Sequence, residues 1–261
     1  MFQTIAAYLP ENNRLERIWK LAQVDFKSRY YNDRLGLLWA LIKPIFEVTV
    51  YFVIFKQVFN VQQENFALFL FSGIITWMIF AEATSRGMLL LSQKLYLIEN
   101  IQLKRIDLYL SYILSVFFSY IFNLSAFLLV SLLTGNTLNA NVLYLPILLL
   151  TVFVLSLGVS LILSCVQPFI KDLHHAWDMV LLVGFWVSGI FFEHSMLTDK
   201  IPWLYYANPF IGIIHNIHGA TLGSSAMDVS IMWYDLLYAF AILGIGLWVS
   251  KVWGGLAVEK L

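Results

Sequence analysis

The sequence predicts an all-α integral membrane protein with six transmembrane helices, an N-terminal amphipathic helix at the membrane interface, and two short re-entrant helices between spans five and six. Composition is the first reason: 60% of the 261 residues are apolar and 12% are charged, about half the charged fraction of a soluble domain. The second reason is that the apolar residues form runs of about 20, the length that crosses a bilayer. The mean hydropathy of +0.77 agrees, and an ordinary soluble domain is excluded.

Six apolar runs are long enough to be predicted as spans. They cover residues 35–59, 66–91, 108–134, 142–170, 176–192 and 229–252. We therefore predict two regions, a cytoplasmic tail with an interface helix in residues 1–34 and a six-helix transmembrane domain in residues 35–261.

The positions of lysine and arginine predict the orientation, because these residues concentrate in cytoplasmic loops. Twelve of them precede the first span, follow the sixth, or lie between spans two and three or spans four and five, whereas Lys200 stands alone on the other side. Both termini are therefore expected in the cytoplasm. The formal net charge of zero gives no general attraction to nucleic acid, and the single cysteine, Cys165, excludes a disulfide framework.

Residues 14–30 have the pattern of an amphipathic helix. One face carries Leu15, Ile18, Trp19, Ala22, Phe26 and Tyr30, and the opposite face carries Glu16, Lys20, Gln23 and Lys27. A basic amphipathic helix of this kind lies in the membrane interface. It is either a simple anchor for the first span or a surface that a cytoplasmic partner binds.

The cytoplasmic segment 93–107 mixes charged residues with apolar ones, at Leu95, Leu97, Ile98, Ile101 and Leu103. Apolar residues on a short loop need cover. Another subunit and the protein's own helices are both candidates for providing it.

The segment 193–228, on the outer side, is too apolar for a free loop and too short for two spans. It suits a pair of half-inserted helices broken at Asn208-Pro209, because irregular backbone at membrane depth must be buried in protein or line a cavity. We predict an outer gate here, formed by Trp203, Tyr205, Tyr206, Asn208, Pro209 and Phe210.

Ionisable residues within spans are costly and indicate either function or pairing. Three pairs are spaced four residues apart towards the cytoplasmic side: Lys43 with Glu47, Glu82 with Arg86, and His174 with Asp178. This position favours structural ion pairs over a proton relay, which would place such groups through the middle of the bilayer. His215 and His218 are expected to be surface or gate-packing residues, since no carboxylate or cysteine flanks them.

The sequence contains no nucleotide-binding phosphate loop, zinc motif or calcium loop. It therefore offers no visible energy source for directional transport, and we expect a partner to supply one. Neither a metal nor a cofactor is expected on this chain.

Aromatic residues make up 16% of the chain. Most are expected in interfacial belts or in helix packing, but a subset facing a common cavity would suit a sugar chain, because aromatic faces stack on pyranose rings. The candidates come from the first and fifth spans: Tyr51, Phe52, Phe55, Phe59, Phe185, Trp186, Phe191 and Phe192.

The stretch from Arg29 to Pro44, RYYNDRLGLLWALIKP, resembles the beginning of the first span in polysaccharide-export permeases, the membrane subunits of type 2 ABC exporters. The family motif falls on Leu35, Gly36, Trp39 and Pro44. Asp33 departs from it, standing near where a small residue such as serine is common. Six spans, a basic loop after the second span, Lys171-Asp172 and Asn208-Pro209 follow in the family's order.

The resemblance implies a homodimer that carries two copies of a separate ATP-binding subunit, with ATP and Mg²⁺ on that subunit. The substrate it implies is a lipid-linked glycan exported across the bacterial inner membrane, O antigen foremost, with capsule and teichoic acid as alternatives. The chain itself is then a transport subunit and not an enzyme. The conduit would form between protomers from spans one and five, with the outer segment as its lid.

Residue roles follow from the same resemblance. Coupling to the ATP-binding subunit is expected at Arg17, Lys20, Lys94, Glu99, Lys104 and Asp107. Contact with the pyrophosphate of the lipid carrier is expected at Arg29, Arg34 and Arg105.

Two other functions stay open on the sequence alone. A small-molecule or drug exporter of the same superfamily would need no large aromatic conduit and would have a tighter, more aliphatic dimer seam. A membrane-embedded glycosyltransferase or acyltransferase would cluster Asp, Glu or His at one membrane face, whereas these residues are scattered in the 193–228 segment.

Overall fold

The computed structural model describes residues 13–30, 34–97, 103–136, 140–223 and 226–261, and all regular secondary structure within these ranges is helical. The first half of the described chain contains α1 (Arg14–Tyr30), α2 (Leu38–Val53, prolonged by a π-helical turn at Ile54–Val58), α3 (Phe66–Met88), α4 (Leu90–Gln93) and α5 (Arg105–Leu133). The second half contains α6 (Leu145–Val166, after a 3₁₀ turn at Ala140–Tyr144), α7 (Leu173–Trp186), α8 (Ser195–Thr198), α9 (Leu204–Ala207), α10 (Pro209–Thr221), α11 (Val229–Val252) and α12 (Gly254–Lys260).

Five helical stretches of the described residues are long and apolar enough to cross a membrane. They are Leu38–Val58, Phe66–Met88, Arg105–Leu133, Ala140–Val166 and Val229–Val252. They agree with the predicted spans one, two, three, four and six. The all-α, multi-pass class is therefore confirmed.

The predicted fifth span, residues 176–192, is a shorter helix than expected. Helix α7 has 14 residues, or about 21 Å at 1.5 Å per residue, against about 30 Å for the hydrocarbon core. It ends at Trp186, and Gly189 then takes a φ of 77°, a left-handed conformation that glycine adopts readily. Apolar composition continues to Phe192, but the backbone has already left the helix.

The amphipathic helix predicted for residues 14–30 is present as α1, although only part of its apolar face is covered. Ile18, Leu21 and Ala22 are buried, and α1 packs along α5. Leu15 and Trp19, on the same predicted face, stay largely exposed. This division is expected of a helix that lies on the bundle with one edge and in the membrane interface with the other.

The family motif forms the turn that leads from α1 into α2. Gly36 has a φ of 49°, a left-handed conformation that glycine adopts more readily than residues with a Cβ. The Leu38 amide donates to the Leu35 carbonyl over 3.0 Å, and the Trp39 amide donates to the Gly36 carbonyl over 3.3 Å. Pro44 lies buried within α2.

Helices α3, α6 and α10 form the buried centre, and α11 lies against α6 along its length. Glycines allow this contact to be close: a Cβ on Gly158 would lie 2.7 Å from the Leu243 amide nitrogen, and one on Gly246 would lie 2.6 Å from the Gly158 carbonyl oxygen. Small residues at such crossings let membrane helices gain backbone packing.

Helices α2 and α7 are the least covered of the long helices in the described chain. Only Pro44 and Val48 are buried in α2, and no residue of α7 is buried. The contacts that hold α7 to α3 include a hydrogen bond from the Trp177 indole to the Thr84 hydroxyl over 3.0 Å and the packing of Gly184 and Phe185 against the Trp77 ring. The chain therefore presents an open, apolar face built from α2 and α7.

Replacing Gly246 by alanine is expected to destabilise the protein, because the new methyl group would collide with the Gly158 carbonyl. We expect a loss on the order of 1 to 3 kcal/mol, measured as a lower thermal unfolding temperature in detergent. Gly244→Ala on the same helix is the matched control, since its methyl group would meet nothing within 4 Å. Equal unfolding temperatures for the two variants would contradict the close crossing.

Candidate functional site

Two ion pairs fasten α1 to the two ends of the 93–107 segment. Arg14 donates from Nη2 to Asp107 Oδ1 over 2.7 Å, and Asp107 is 1% exposed. Lys94 donates from Nζ to Asp25 Oδ1 over 2.6 Å. The hydrogen bond to Asp107 and the charge of that carboxylate raise the pKa of the Arg14 guanidinium.

A third ion pair joins α1 to the membrane helices. Arg29 donates from Nη1 to Glu82 Oε1 of α3 over 3.0 Å and from Nη2 to Ser115 Oγ of α5 over 2.9 Å. Its side chain is 8% exposed, and its guanidinium carbon lies 5.2 Å from the centre of the Tyr112 ring. Arg29 therefore connects three helices through one buried group.

The predicted pair of Glu82 and Arg86 is confirmed, with 3.6 Å between Oε1 and Nη1. Sequence spacing missed the closer partner, Arg29, which is 53 residues away in the chain. Arg86 keeps a side chain that is 61% exposed. Glu82 thus forms ion pairs with a buried arginine, Arg29, and an exposed one, Arg86.

A cavity of about 610 Å³ lies beside this ion pair, between α2, α3, the end of α1 and Phe185 of α7. We call it the α2–α3 cavity. Its charged lining residues are Lys43, Glu47, Glu82 and Arg86, and its aromatic lining residues are Tyr30, Trp39, Tyr51, Trp77 and Phe185. The predicted pair of Lys43 and Glu47 therefore shares one cavity, although no ion pair of 4.0 Å or less joins the two side chains.

The third predicted pair, His174 with Asp178, does not form. The two residues lie on α7, whose side chains are largely uncovered. The His174 ring lies 3.7 Å from the His175 ring and its Nδ1 lies 3.2 Å from the Lys171 carbonyl. The His174 side chain therefore contacts residues close to it in sequence, Lys171 and His175.

The predicted conduit residues largely meet at one aromatic cluster. Phe191 lies at its centre, with its ring 4.9 Å from Tyr51, 5.1 Å from Phe55 and 4.7 Å from Trp186. The Phe185 ring centre lies 5.2 Å from that of Phe191. The Phe59 ring centre lies 5.4 Å from that of Phe55. Phe191 itself is buried, so it supports the cluster from inside.

The other two predicted conduit residues lie apart from the centre of this cluster. Phe52 contacts Phe66 of α3 at 6.4 Å between ring centres, and Phe192 packs half-buried against the core. The cluster joins α2 to the end of α7 within one chain, whereas the prediction placed spans one and five along a conduit between protomers. Their role as a conduit stays a prediction.

Asn208 and Pro209 lie between the single-turn helix α9 and the longer helix α10, and they start α10. The Asn208 Oδ1 accepts from the Phe210 amide over 3.1 Å, and its Nδ2 donates to the Val187 carbonyl over 3.1 Å. Pro209 occupies the first turn of the helix, where a missing N–H costs nothing. The preceding helix α9 has four residues, which is a single turn.

The predicted gate residues divide into anchors and exposed rings. Phe210 is buried against Trp77 and Phe80, at 4.8 Å and 4.6 Å between ring centres. Trp203 and Tyr206 are exposed. The Tyr205 hydroxyl donates to Asp228 Oδ2 over 3.4 Å, and burial, followed by the charge of Asp228, raises the pKa of Tyr205.

Helix α10 is buried along its whole length and includes both predicted packing histidines. His218 lies with Nε2 3.0 Å from the Phe69 carbonyl oxygen, and its ring stacks on Phe69 at 3.7 Å. The His215 ring lies 3.9 Å from the His194 ring. Among the described residues, no group of three His, Cys, Asp or Glu residues could hold a metal ion.

Sequence reasoning overlooked Asp235, which is 1% exposed in α11. Neither of its carboxylate oxygens has a hydrogen-bond partner, and the side chain lies against Gly212 of α10. A carboxylic acid within a predicted span was the available signal. Asp235 thus places a buried polar side chain at the contact between α10 and α11.

The residues predicted to contact an ATP-binding subunit fall into two groups. Asp107 and Lys94 are used within the chain, as described above. Lys20 pairs with Glu16 at 2.9 Å on the open side of α1, Lys104 is exposed and Arg17 is half-buried. Glu99 lies outside the described residues.

The chain's own helices cover part of the 93–107 segment. Leu97 and Leu103 are buried in the hydrophobic core, whereas Ile98 and Ile101 lie outside the described residues. Of the two alternatives for these apolar residues, packing within the protein accounts for Leu97 and Leu103, whereas Leu95 is only half-buried.

The three arginines predicted for pyrophosphate also differ in setting. Arg29 is engaged with Glu82 and Ser115, and the Arg105 guanidinium lies against Gly254 of α12. Arg34 is exposed at the turn before α2. A pyrophosphate contact for any of them stays a prediction.

Comparison with known proteins gives a family and several relatives. The ABC-2 type transporter domain matches residues 16–219. The O-antigen export system permease protein RfbA of Klebsiella pneumoniae is 24% identical over 191 residues, which cover 73% of this chain and 74% of that protein. RfbA of Myxococcus xanthus is 23% identical, covering 69% of each chain. The polysialic acid transport protein KpsM of Escherichia coli is 24% identical, covering 85% of this chain and 88% of that protein.

Replacing Arg29 by glutamine is expected to lower stability by on the order of 2 to 3 kcal/mol, because a buried charge loses its partner. Because Glu82 still pairs with Arg86 and is partly exposed to solvent, the expected loss of stability stays below the upper range for buried ion pairs. Thermal unfolding in detergent measures the effect. Lys27→Gln, an exposed change on the same helix, should leave the unfolding temperature unchanged; an equal loss in both variants would contradict the role given to Arg29.

Proposed function

The chain belongs to the ABC-2 type transporter family, and we propose that it is the permease subunit of an ATP-driven exporter that moves a lipid-linked polysaccharide, O antigen first among them. The observation that carries the proposal is the family match over residues 16–219, together with O-antigen and polysialic acid permeases as relatives along most of their length. Capsule and teichoic acid are the alternative glycans. The chain is a multi-pass membrane protein and a transporter subunit.

The membrane arrangement that we propose has six spans, with α7 and the residues up to 192 as the fifth, and with α9 and α10 re-entering from the outer face. Burial of every residue of α10 supports re-entry, because a helix without exposed residues needs protein on all sides. The excess of Lys and Arg supports cytoplasmic termini. The membrane is the bacterial inner membrane on this proposal.

A homodimer would cover the open face of α2 and α7. In a single chain, this face exposes Trp39, Phe46 and Trp186 and contains the aromatic cluster around Phe191. Two such faces placed together would line a passage with aromatic rings, which suits a sugar chain that must slide without being held. Trp203 and Tyr206 would cover its outer end.

Two copies of an ATP-binding subunit, each with ATP and Mg²⁺, would drive the movement from the cytoplasmic side. Lys20 and Lys104, together with Arg17, would contact that subunit, because they lie on α1 and in the 93–107 segment. Force applied there would pass through two ion pairs, Arg14 to Asp107 and Lys94 to Asp25. It would then reach α3 through Arg29 and Glu82.

The lipid pyrophosphate would first meet Arg34, which is exposed at the beginning of α2. Arginine binds phosphate oxygens in a bidentate manner. Arg29, paired with Glu82, would make no direct contact, and Arg105 lies against Gly254 of α12 with its Nη1 lacking a hydrogen-bond partner among the described residues.

The function is tested by reconstituting the chain with its ATP-binding subunit in nanodiscs. ATP hydrolysis is expected to rise severalfold when the polyprenyl-linked glycan of the same cell is added, and not when the bare polyprenyl lipid is added. Stimulation by amphiphilic small molecules instead would favour a drug exporter. Failure to bind any ATP-binding subunit would contradict both.

Asp25→Lys should uncouple the complex, because it places two positive charges together where Lys94 and Asp25 now pair. We expect the ATP-binding subunit to remain bound while glycan-stimulated hydrolysis falls to the basal rate. The double reversal, Asp25→Lys with Lys94→Asp, should restore stimulation. A double variant as inactive as the single one would show that the pair does not transmit movement.

A further inference from the structure

We propose that the α2–α3 cavity binds the sugar-phosphate head group of a polyprenyl-linked glycan, with Lys43 and Arg86 on the phosphates and with Glu47, Trp39 and Tyr51 on the first sugar. This inference rests on the proposed function, because a polyprenyl-linked glycan is the substrate proposed there. It moves the phosphate contacts from the arginines suggested by sequence to two cations that line a cavity.

The charges in the cavity are available to a ligand to different degrees. Glu82 is neutralised by Arg29 at 3.0 Å, so the longer contact of 3.6 Å to Arg86 is not needed to hold it. Arg86 is 61% exposed, and Lys43 is exposed and forms no ion pair among the described residues. Two cations that face one space, one without an ion pair to any described residue and one held only by the 3.6 Å contact to Glu82, fit a pyrophosphate, which carries its charge on two groups.

The remaining lining suits a sugar rather than a bare phosphate. Glu47 lines the cavity from α2 without an ion pair to Lys43, and a carboxylate accepts hydrogen bonds from sugar hydroxyls. Trp39 and Tyr51 offer aromatic faces from the same helix. The volume of about 610 Å³ lies within the range of pockets that bind small ligands.

An adjoining groove points to a lipid as the source of this head group. Trp77 lines both the α2–α3 cavity and an apolar groove of about 600 Å³ formed by α3, α6, α7 and α11 with the start of α10. The groove is lined mainly by hydrocarbon side chains such as Val180, Val183 and Leu155. A polyprenyl chain would fill it, whereas a soluble nucleotide sugar would leave it empty.

Binding is tested with the chain and its ATP-binding subunit in nanodiscs, by native mass spectrometry. The probes are a polyprenyl pyrophosphate carrying one N-acetylhexosamine, the same lipid without the sugar, and a soluble nucleotide diphosphate sugar. The native protein should prefer the first probe. Lys43→Gln with Arg86→Gln should weaken its binding by about tenfold or more, as expected for lost charge-assisted hydrogen bonds.

Control variants separate charge, stacking and folding. Lys43→Arg with Arg86→Lys should retain binding, since both cations are kept, and Lys56→Gln should match the native protein because Lys56 lies on the same helix beyond the cavity. Trp39→Leu should reduce the preference for the sugar-bearing lipid while leaving the bare lipid bound.

Unchanged affinity in the Lys43→Gln, Arg86→Gln variant, or equal loss in Lys56→Gln, would overturn the proposal. So would native protein that binds the bare lipid, or the soluble sugar, as tightly as the sugar-bearing lipid. If glycan still stimulates ATP hydrolysis in these cases, the export function stands and the cavity assignment falls. A native complex that binds no polyprenyl lipid and shows no stimulation would remove both.

Discussion

A guanidinium group that is 8% exposed between membrane helices must be neutralised, and the position of α1 follows from how this is done for Arg29. Glu82 supplies the charge, Ser115 a second acceptor, and Tyr112 an aromatic face. Breaking such a pair strands a charge in a poorly hydrated place. The last turn of the amphipathic helix α1 is therefore bound to α3 and α5 through the side chain of Arg29. The α2–α3 cavity opens beside this same group.

The bundle divides into a closely packed part and a loosely held part. Helices α6 and α11 approach closely at Gly158 and Gly246, and α10 is buried on all sides. Helices α2 and α7, by contrast, have few or no buried residues. Movement that opens a passage costs least where the fewest contacts are broken, so the open face, with the cavity and the aromatic cluster, is the part suited to rearrange.

Much of this architecture could be predicted from apolar runs, because a span must hide about 20 residues of backbone from lipid. Spans one, two, three, four and six agree with the helices. The fifth differed because composition does not reveal where the backbone leaves the helix near Gly189. The Glu82–Arg86 pair was visible as a spacing of four, whereas the Arg29–Glu82 contact joins distant segments that no local pattern connects. Asn208-Pro209 was recognised as a break, and in the structure Asn208 also caps the helix that follows it.

The contacts of α1 also set an order of assembly during synthesis. Each of its polar anchors, Glu82, Lys94, Asp107 and Ser115, lies later in the chain. Residues 14–30 are therefore synthesised before any of these partners, and the contacts can form only after α5 has been made. The position of α1 is then fixed while the second half of the described chain is still to come. A cell that pairs its exporter subunits only after this step would be joining the ATP-binding subunit to a permease whose first half is already complete.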